Sequence, residues 1–151
     1  MYEKRKINKI LIVDDSEMNR AILADMLREK YEILEAEDGV KAIEMLHTYG
    51  TEISLMLLDI VMPKMDGFEV LAMMNRYHWI EEIPVIIISA ENSHSVVERA
   101  YDLGATDYIS RPYDEVIVCR RVINTIMLYS KQKRLISMVA DQMYEREKAI
   151  R

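Results

Sequence analysis

Ile10-Leu11-Ile12-Val13-Asp14-Asp15 runs through four apolar side chains and stops on two carboxylates. A short apolar run without alternation reads as a strand buried on both faces, as in a parallel sheet. The strand is expected from Ile7 to Val13. The same pattern returns three times. Ile53 to Leu58 ends at Asp59, Val85 to Ile88 ends at Ser89, and Asp107 to Ile109 gives way to Arg111-Pro112. A weaker strand, Glu32 to Ala36, has no such ending.

Helical periods fill the intervals. Met18, Ile22, Leu23, Met26 and Leu27 predict a first helix, capped by Ser16 or Asp15. Val40, Ile43, Met45 and Leu46 predict a second, closed by Gly50. Val70, Leu71 and Met74 mark a third, and Val96, Val97 and Ala100 a fourth that stops at Gly104. Five strand–helix units predict an α/β fold with an open, doubly wound sheet. In such sheets ligands bind beyond the carboxyl ends of the strands, where the polar endings fall.

Composition narrows the function classes. The chain has 151 residues, half of them apolar, with seven Gly and Pro together, which predicts one folded domain rather than disorder. No apolar run approaches a membrane span, and no signal peptide follows the basic start Met1 to Lys6, so a cytoplasmic location is expected. A lone Cys119 fits a buried thiol. From Lys131 onward six basic and three acidic residues give +3, which leaves −9 of the total −6 on the first 130 residues. An acidic body with a sparse basic tail predicts no nucleic-acid binding.

The last helical pattern overruns a compact domain. Asp114 to Arg151 contains neither Pro nor Gly, so roughly 35 residues can form one helix, against a usual length of about 11–12. Val122, Tyr129, Ile136 and Met143 recur every seven residues, flanked by Leu128 and Leu135. Thr125, Gln132 and Lys133 interrupt the seam, so it predicts a weak coiled coil. A helix that packs first and then frays is one reading. A connector that pairs with a second copy or leads to a further domain is the other, favoured by an ending in mid-pattern.

Asp14, Asp15 and Asp59 at converging strand ends form an oxygen-rich negative cluster that a hard divalent cation, Mg²⁺ for preference, would neutralise. Asp15 and Asp59 are the expected direct ligands, with Asp14 partly through water and the carbonyl of Val61 as the backbone ligand. Asp59 is the expected nucleophile, accepting a phosphoryl group as an acyl phosphate. Ser89 can donate to one phosphoryl oxygen beside the small Ala90. Arg111 can pair with another, or with Asp59 itself. His47, His78 and His94 are scattered, and Tyr77 and Trp79 are expected to cover the end of the third helix or form a modest exposed patch.

With these residues in view, the chain resembles the receiver domain of two-component response regulators, the CheY-like superfamily, over residues 6 to about 128. The resemblance rests on Ile10 to Asp15, on Leu58-Asp59-Ile60-Val61-Met62-Pro63-Lys64-Met65-Asp66-Gly67, on Ile88-Ser89-Ala90, and on Gly104 to Pro112. It implies a flavodoxin-like five-stranded parallel sheet of order 2-1-3-4-5. Residues 1–130 would be the receiver and 131–151 an extended helical linker, continuous with its last helix. It further implies that Asp59 takes its phosphoryl group from a histidine kinase or histidine phosphotransfer protein. The chain then loses it by its own hydrolysis, as an autocatalytic phosphoacceptor and not a metabolic enzyme. Ser89 and Tyr108 are the implied switch residues, and a cis bond is implied at Arg111-Pro112. Homodimerisation would use the face of helix four, strand five and helix five, or the C-terminal helix.

Two departures bear on this reading. The family has lysine where this chain has Arg111, and a guanidinium is not an equivalent point charge. The alternative is therefore a degenerate receiver that serves as a constitutive interaction or dimerisation module. Val61, two positions after Asp59, offers no polar side chain to orient a hydrolytic water, so a long-lived phosphorylated state is expected. A haloacid-dehalogenase-like phosphatase would want an acid where Val61 stands. Tyr113 is expected to pack near Tyr108.

Overall fold

Alternation along the strands assigns the helices to two sides of one sheet. The computed structural model describes residues 8–150; Ile7, the basic start 1–6 and Arg151 lie outside the described residues. The elements are β1 (Lys9–Val13), α1 (Glu17–Leu27), β2 (Glu32–Ala36), α2 (Gly39–Tyr49), β3 (Ile53–Leu58), α3 (Gly67–Arg76), β4 (Val85–Ser89), α4 (His94–Asp102), β5 (Asp107–Ser110) and α5 (Glu115–Ile150). Every strand pair is parallel, in the order β2-β1-β3-β4-β5. This is the five-stranded, doubly wound fold expected from the sequence.

Successive strand residues point to opposite faces. Ile10, Ile12, Leu55, Leu57, Ile86, Ile88 and Ile109 pack against Leu23, Ala24 and Leu27 of α1 and Val118, Val122 and Ile126 of α5. Their neighbours Leu11, Val13, Met56, Leu58, Val85, Ile87 and Tyr108 pack against α2, α3 and α4 through residues such as Leu46, Leu71 and Ala100. Helices on both faces are why the central strands read as unbroken apolar runs.

Local signals bound the helices. Ser16 caps α1 by accepting from the Asn19 amide, and Asp38 caps α2 by accepting from Lys41. Asp66 and Glu69 form a reciprocal capping box at α3. Gly50, at φ 52°, ends α2 in a conformation that side chains resist.

Three expectations are corrected. Met18 and Ile22 do not join the buried stripe of α1; they are exposed, and Leu23, Ala24 and Leu27 alone are buried there. Val40 is likewise exposed on α2. A helical period locates one face, but its edge depends on how deeply the helix lies against the sheet. Tyr113 packs with the α1–α5 cluster, across the sheet from Tyr108.

Helix α5 runs unbroken for 36 residues. Val118, Val122, Thr125 and Ile126 are buried, and every described residue from Lys131 onward is exposed. The expected seam residues Ile136 and Met143 are therefore an open apolar stripe on a helix standing clear of the sheet. No helix among the described residues is long and apolar enough to cross a membrane.

Candidate functional site

Strand order brings the polar endings together. Chain connection runs from β1 to β2 on one side, but β3 returns to pair with β1 on the other. The winding thus reverses between β1 and β3, where open sheets leave a crevice at the carboxyl edge. Val13 and Leu58 are register partners, so the next residues, Asp14 and Asp59, stand side by side. The Asp59 amide donates to the Val13 carbonyl at 2.9 Å. Across β4, Ser89 pairs with Ser110, and the Arg111 amide donates to the Ser89 carbonyl at 3.0 Å. The bond between Arg111 and Pro112 is cis.

Asp14 and Asp59 are buried and Asp15 is exposed, yet the three carboxylates offer oxygens lying within 4.8 Å of one another. The Asp14 Oδ1 accepts from the Ser16 amide at 2.9 Å. The Asp59 Oδ1 accepts from the amide of Ile60 at 2.8 Å. Arg111 reaches in from the β5 end; its Nη2 donates to Asp14 Oδ2, and its Nη1 lies 3.8 Å from Asp59 Oδ2. The main partner of Arg111 is thus Asp14, a refinement of the expected pairing with Asp59. Its Nε is buried without a hydrogen-bond partner among the described residues.

Burial, and next the like charge of Asp14, push the Asp59 carboxyl up to about 6; Arg111 and the Ile60 amide pull the other way. Between the ordinary 3.8 and about 6 the folded protein therefore binds a proton that the unfolded chain has lost, so this site costs stability as pH rises through that window. In metal-free buffer, Asp59→Asn is expected to stabilise the fold near neutral pH, with the gain shrinking as pH falls towards 4. Denaturant titrations at several pH values in chelator check this, and a gain that grows on acidification would contradict it.

Three carboxylates against one guanidinium leave two formal negative charges uncompensated. An all-oxygen donor set with that surplus fits a hard divalent cation held by one or two carboxylates and water. The side chain of Val61 is exposed. Ser89 is buried at the same edge, and its Oγ accepts from the Glu91 amide at 3.2 Å. Tyr108 is buried, and its hydroxyl donates to the Glu91 carbonyl. Asp14, Asp15, Asp59, Ser89 and Arg111 thus come to one edge of the sheet.

Two features were not legible beforehand. Arg20 braces the site from behind: its Nη1 donates to the Asp14 carbonyl at 2.6 Å while its Nε pairs with Glu35 at 3.2 Å. The signal for it was the position of a basic residue one turn past the cap of α1, on the side of β2. Far from the site, His47 meets Tyr77 and Trp79 edge-on at 5.1 and 4.8 Å, so this histidine belongs to an aromatic cluster at the ends of α2 and α3.

Known proteins share this fold. The family described as "Response regulator receiver domain" matches residues 10–123. The response regulator RR06 of Streptococcus pneumoniae is 36% identical over 121 residues, covering 80% of this chain and 54% of the relative. A probable cyclic di-GMP phosphodiesterase of Vibrio cholerae is 39% identical over 113 residues, 75% of this chain but 25% of the relative. The chain thus spans about half or less of these two, yet 89% of the rice two-component response regulator ORR3, at 34% identity and 76% of this chain. Among solved structures, the CheX–CheY complex with beryllium fluoride and Mg²⁺ from Borrelia burgdorferi matches with a TM-score of 0.71 and 33% identity, covering 78% of this chain and 87% of that one. A CheY-like receiver from Methanospirillum hungatei matches in fold at a TM-score of 0.77 and 22% identity, over 83% and 98% of the two chains. On the sheet order, the acidic edge and these matches together, the chain belongs to the response regulator receiver domain family.

Proposed function

We propose that this chain is a phosphorylation-operated switch in which Asp59 accepts a phosphoryl group from a phosphohistidine of a histidine kinase or histidine phosphotransfer protein. The observation that carries this reading is the buried Asp59 carboxylate between two further acids, a buried hydroxyl and a guanidinium. An Asp59 oxygen attacks phosphorus, the phosphorus–nitrogen bond breaks, and the imidazole leaves and takes a proton from solvent. Bound at Asp14, Asp15, Asp59 and the Val61 carbonyl, Mg²⁺ would supply charge neutralisation for the transferring oxygens. Ser89 donates its hydroxyl to one phosphoryl oxygen, and Arg111 neutralises another. Hydrolysis by water at phosphorus returns the carboxylate and releases inorganic phosphate. The exposed apolar Val61 does nothing to orient that water, which supports a slow return.

Ser89 and Tyr108 are the switch pair in this reading. Both engage Glu91, in the loop before α4, so a shift of the Ser89 hydroxyl towards phosphate changes what holds Tyr108 and the α4–β5–α5 face. Residues 1–130 act as the receiver and 131–151 as a linker helix, whose open apolar stripe favours a second copy, in the cytoplasm. Acetyl phosphate with Mg²⁺ tests the reading: intact-mass measurement should show one added phosphate, with a change in association state. Addition of phosphate without any such change would favour the alternative of a constitutive interaction module.

The rim of the site supports a protein donor. Met18 and Val116, the second residues of α1 and α5, and Val61, in the loop after β3, are exposed apolar side chains. Met18→Asp is expected to slow transfer from a phosphohistidine protein roughly tenfold, the loss of one well-packed apolar contact, while uptake from acetyl phosphate stays unchanged. Equal slowing with both donors would show that Met18 acts on the chemistry and not on docking.

A further inference from the structure

We propose that Arg20 is a positioning residue for the metal site: tied to Glu35, it fixes the Asp14–Asp15 peptide and so aims both carboxylates at one divalent ion. This rests on the phosphoacceptor reading, and extends it to the residue that sets the metal ligands in place.

The Asp14 carbonyl lies where β1 runs out of sheet partners. Val13 and Ala36 are the last register pair of β1 and β2, and the Asp14 amide still donates to the Ala36 carbonyl at 3.1 Å. The carbonyl of Asp14 instead accepts from Arg20 Nη1 at 2.6 Å. A peptide unit is planar, so holding this oxygen also sets the direction of the Asp15 amide and Cα. That matters most for Asp15, which is exposed, whereas the Asp14 carboxylate is buried and held by the Ser16 amide and Arg111.

Glu35 anchors the other end of the brace. It stands beside Ile12 in the register of β1 and β2, and its carboxylate accepts from Arg20 Nε at 3.2 Å. One planar guanidinium fork thus serves both acceptors, a geometry that a lysine ammonium does not reproduce. The Arg20 side chain is 13% exposed, so water competes little for these contacts.

Glu35 also cancels the charge of Arg20. A lone cation behind Asp14 would repel a nearby divalent ion; paired, Arg20 contributes direction and not charge. The two roles differ in sign. Deleting a repelling cation tightens Mg²⁺ binding, whereas deleting a brace loosens it, by about 10–100-fold for groups that hold metal ligands from behind.

Calorimetric titration of the full chain with Mg²⁺, without phosphate, reads that sign. The double variant Arg20→Met with Glu35→Met removes both charges, so the net charge is kept and no unpaired ion is left to destabilise the fold. It should bind Mg²⁺ roughly tenfold more weakly than wild type. With acetyl phosphate, the Mg²⁺ level for half-maximal uptake should rise by the same factor, while the rate at saturating Mg²⁺ changes little. A merely structural role would lower the melting temperature and leave the Mg²⁺ affinity of the folded protein as it was. Arg20→Lys, which keeps the charge and loses the fork, is the second variant and should also bind Mg²⁺ more weakly. Unchanged or tighter Mg²⁺ binding in either variant overturns the proposal, as does an absence of Mg²⁺ binding by wild type. Weaker Mg²⁺ binding in both variants, beside a wild type that takes no phosphate from acetyl phosphate, sinks the phosphoacceptor reading and leaves the brace standing.

Discussion

Asp59→Asn is expected to lose all uptake of phosphate from acetyl phosphate or from a phosphohistidine protein while keeping its fold. The substitution is nearly isosteric, and Oδ1 can still accept from the Ile60 amide that orients the wild-type side chain. What disappears is the anionic oxygen that attacks phosphorus, and an amide supplies no substitute. Other acids stand near, but they face different demands. Asp14 is buried, with one oxygen engaged by the Ser16 amide and the other by Arg111, and Asp15 is exposed. Intact-mass measurement after incubation with donor and Mg²⁺ reads the outcome directly. One phosphate on the variant, mapped to Asp14 or Asp15, would move the acceptor and end the assignment to Asp59.

Gly67→Ala should be the most damaging single-methyl change near the site. The Gly67 amide donates to the Ile60 carbonyl at 2.8 Å, which folds the loop after β3 tightly back on itself. A Cβ at Gly67 would meet the Asp59 carbonyl oxygen at 2.5 Å and the Ile60 Cα at 2.8 Å. Both are backbone atoms, so no side-chain rotation relieves the contact. Overpacking of this kind costs about 1–3 kcal/mol, and the rigid neighbours place this case near the upper figure. At about 2–4 °C per kcal/mol for a chain of this size, the midpoint should fall by roughly 6–12 °C. The same displacement moves Asp59, so phosphate uptake should fall even where the protein stays folded. Thermal unfolding together with acetyl phosphate kinetics checks both effects; an unchanged midpoint would show that the loop is softer than its contacts indicate.

Much of this protein could be read from local pattern. An apolar run that ends abruptly on Asp59 or Ser89 is a strand buried on both faces and the residue at its exit, and parallel connections carry all such exits to one edge. That logic recovered the strands β2 to β4 nearly residue for residue, the caps at Ser16 and Gly50, and the grouping of Asp14, Asp15, Asp59, Ser89 and Arg111. The misses have a common origin. Met18, Ile22 and Val40 satisfy a helical period yet lie beyond the edge of the buried stripe, because burial depends on the depth at which a helix docks.

The partner of Arg111 belongs to the same class. Sequence order places a cation after β5 and acids after β1 and β3, but whether it reaches Asp14 or Asp59 depends on ångström distances set by strand register and twist. Arg20, which ties Asp14 to Glu35 of β2, and His47, edge-on to two aromatic rings, likewise depend on contacts between separate elements. Chain pattern is a one-dimensional record of backbone preference and burial, and it names the groups that gather. Which oxygen each donor takes is a contest among charges within a few ångströms, settled when the sheet has closed and water has left.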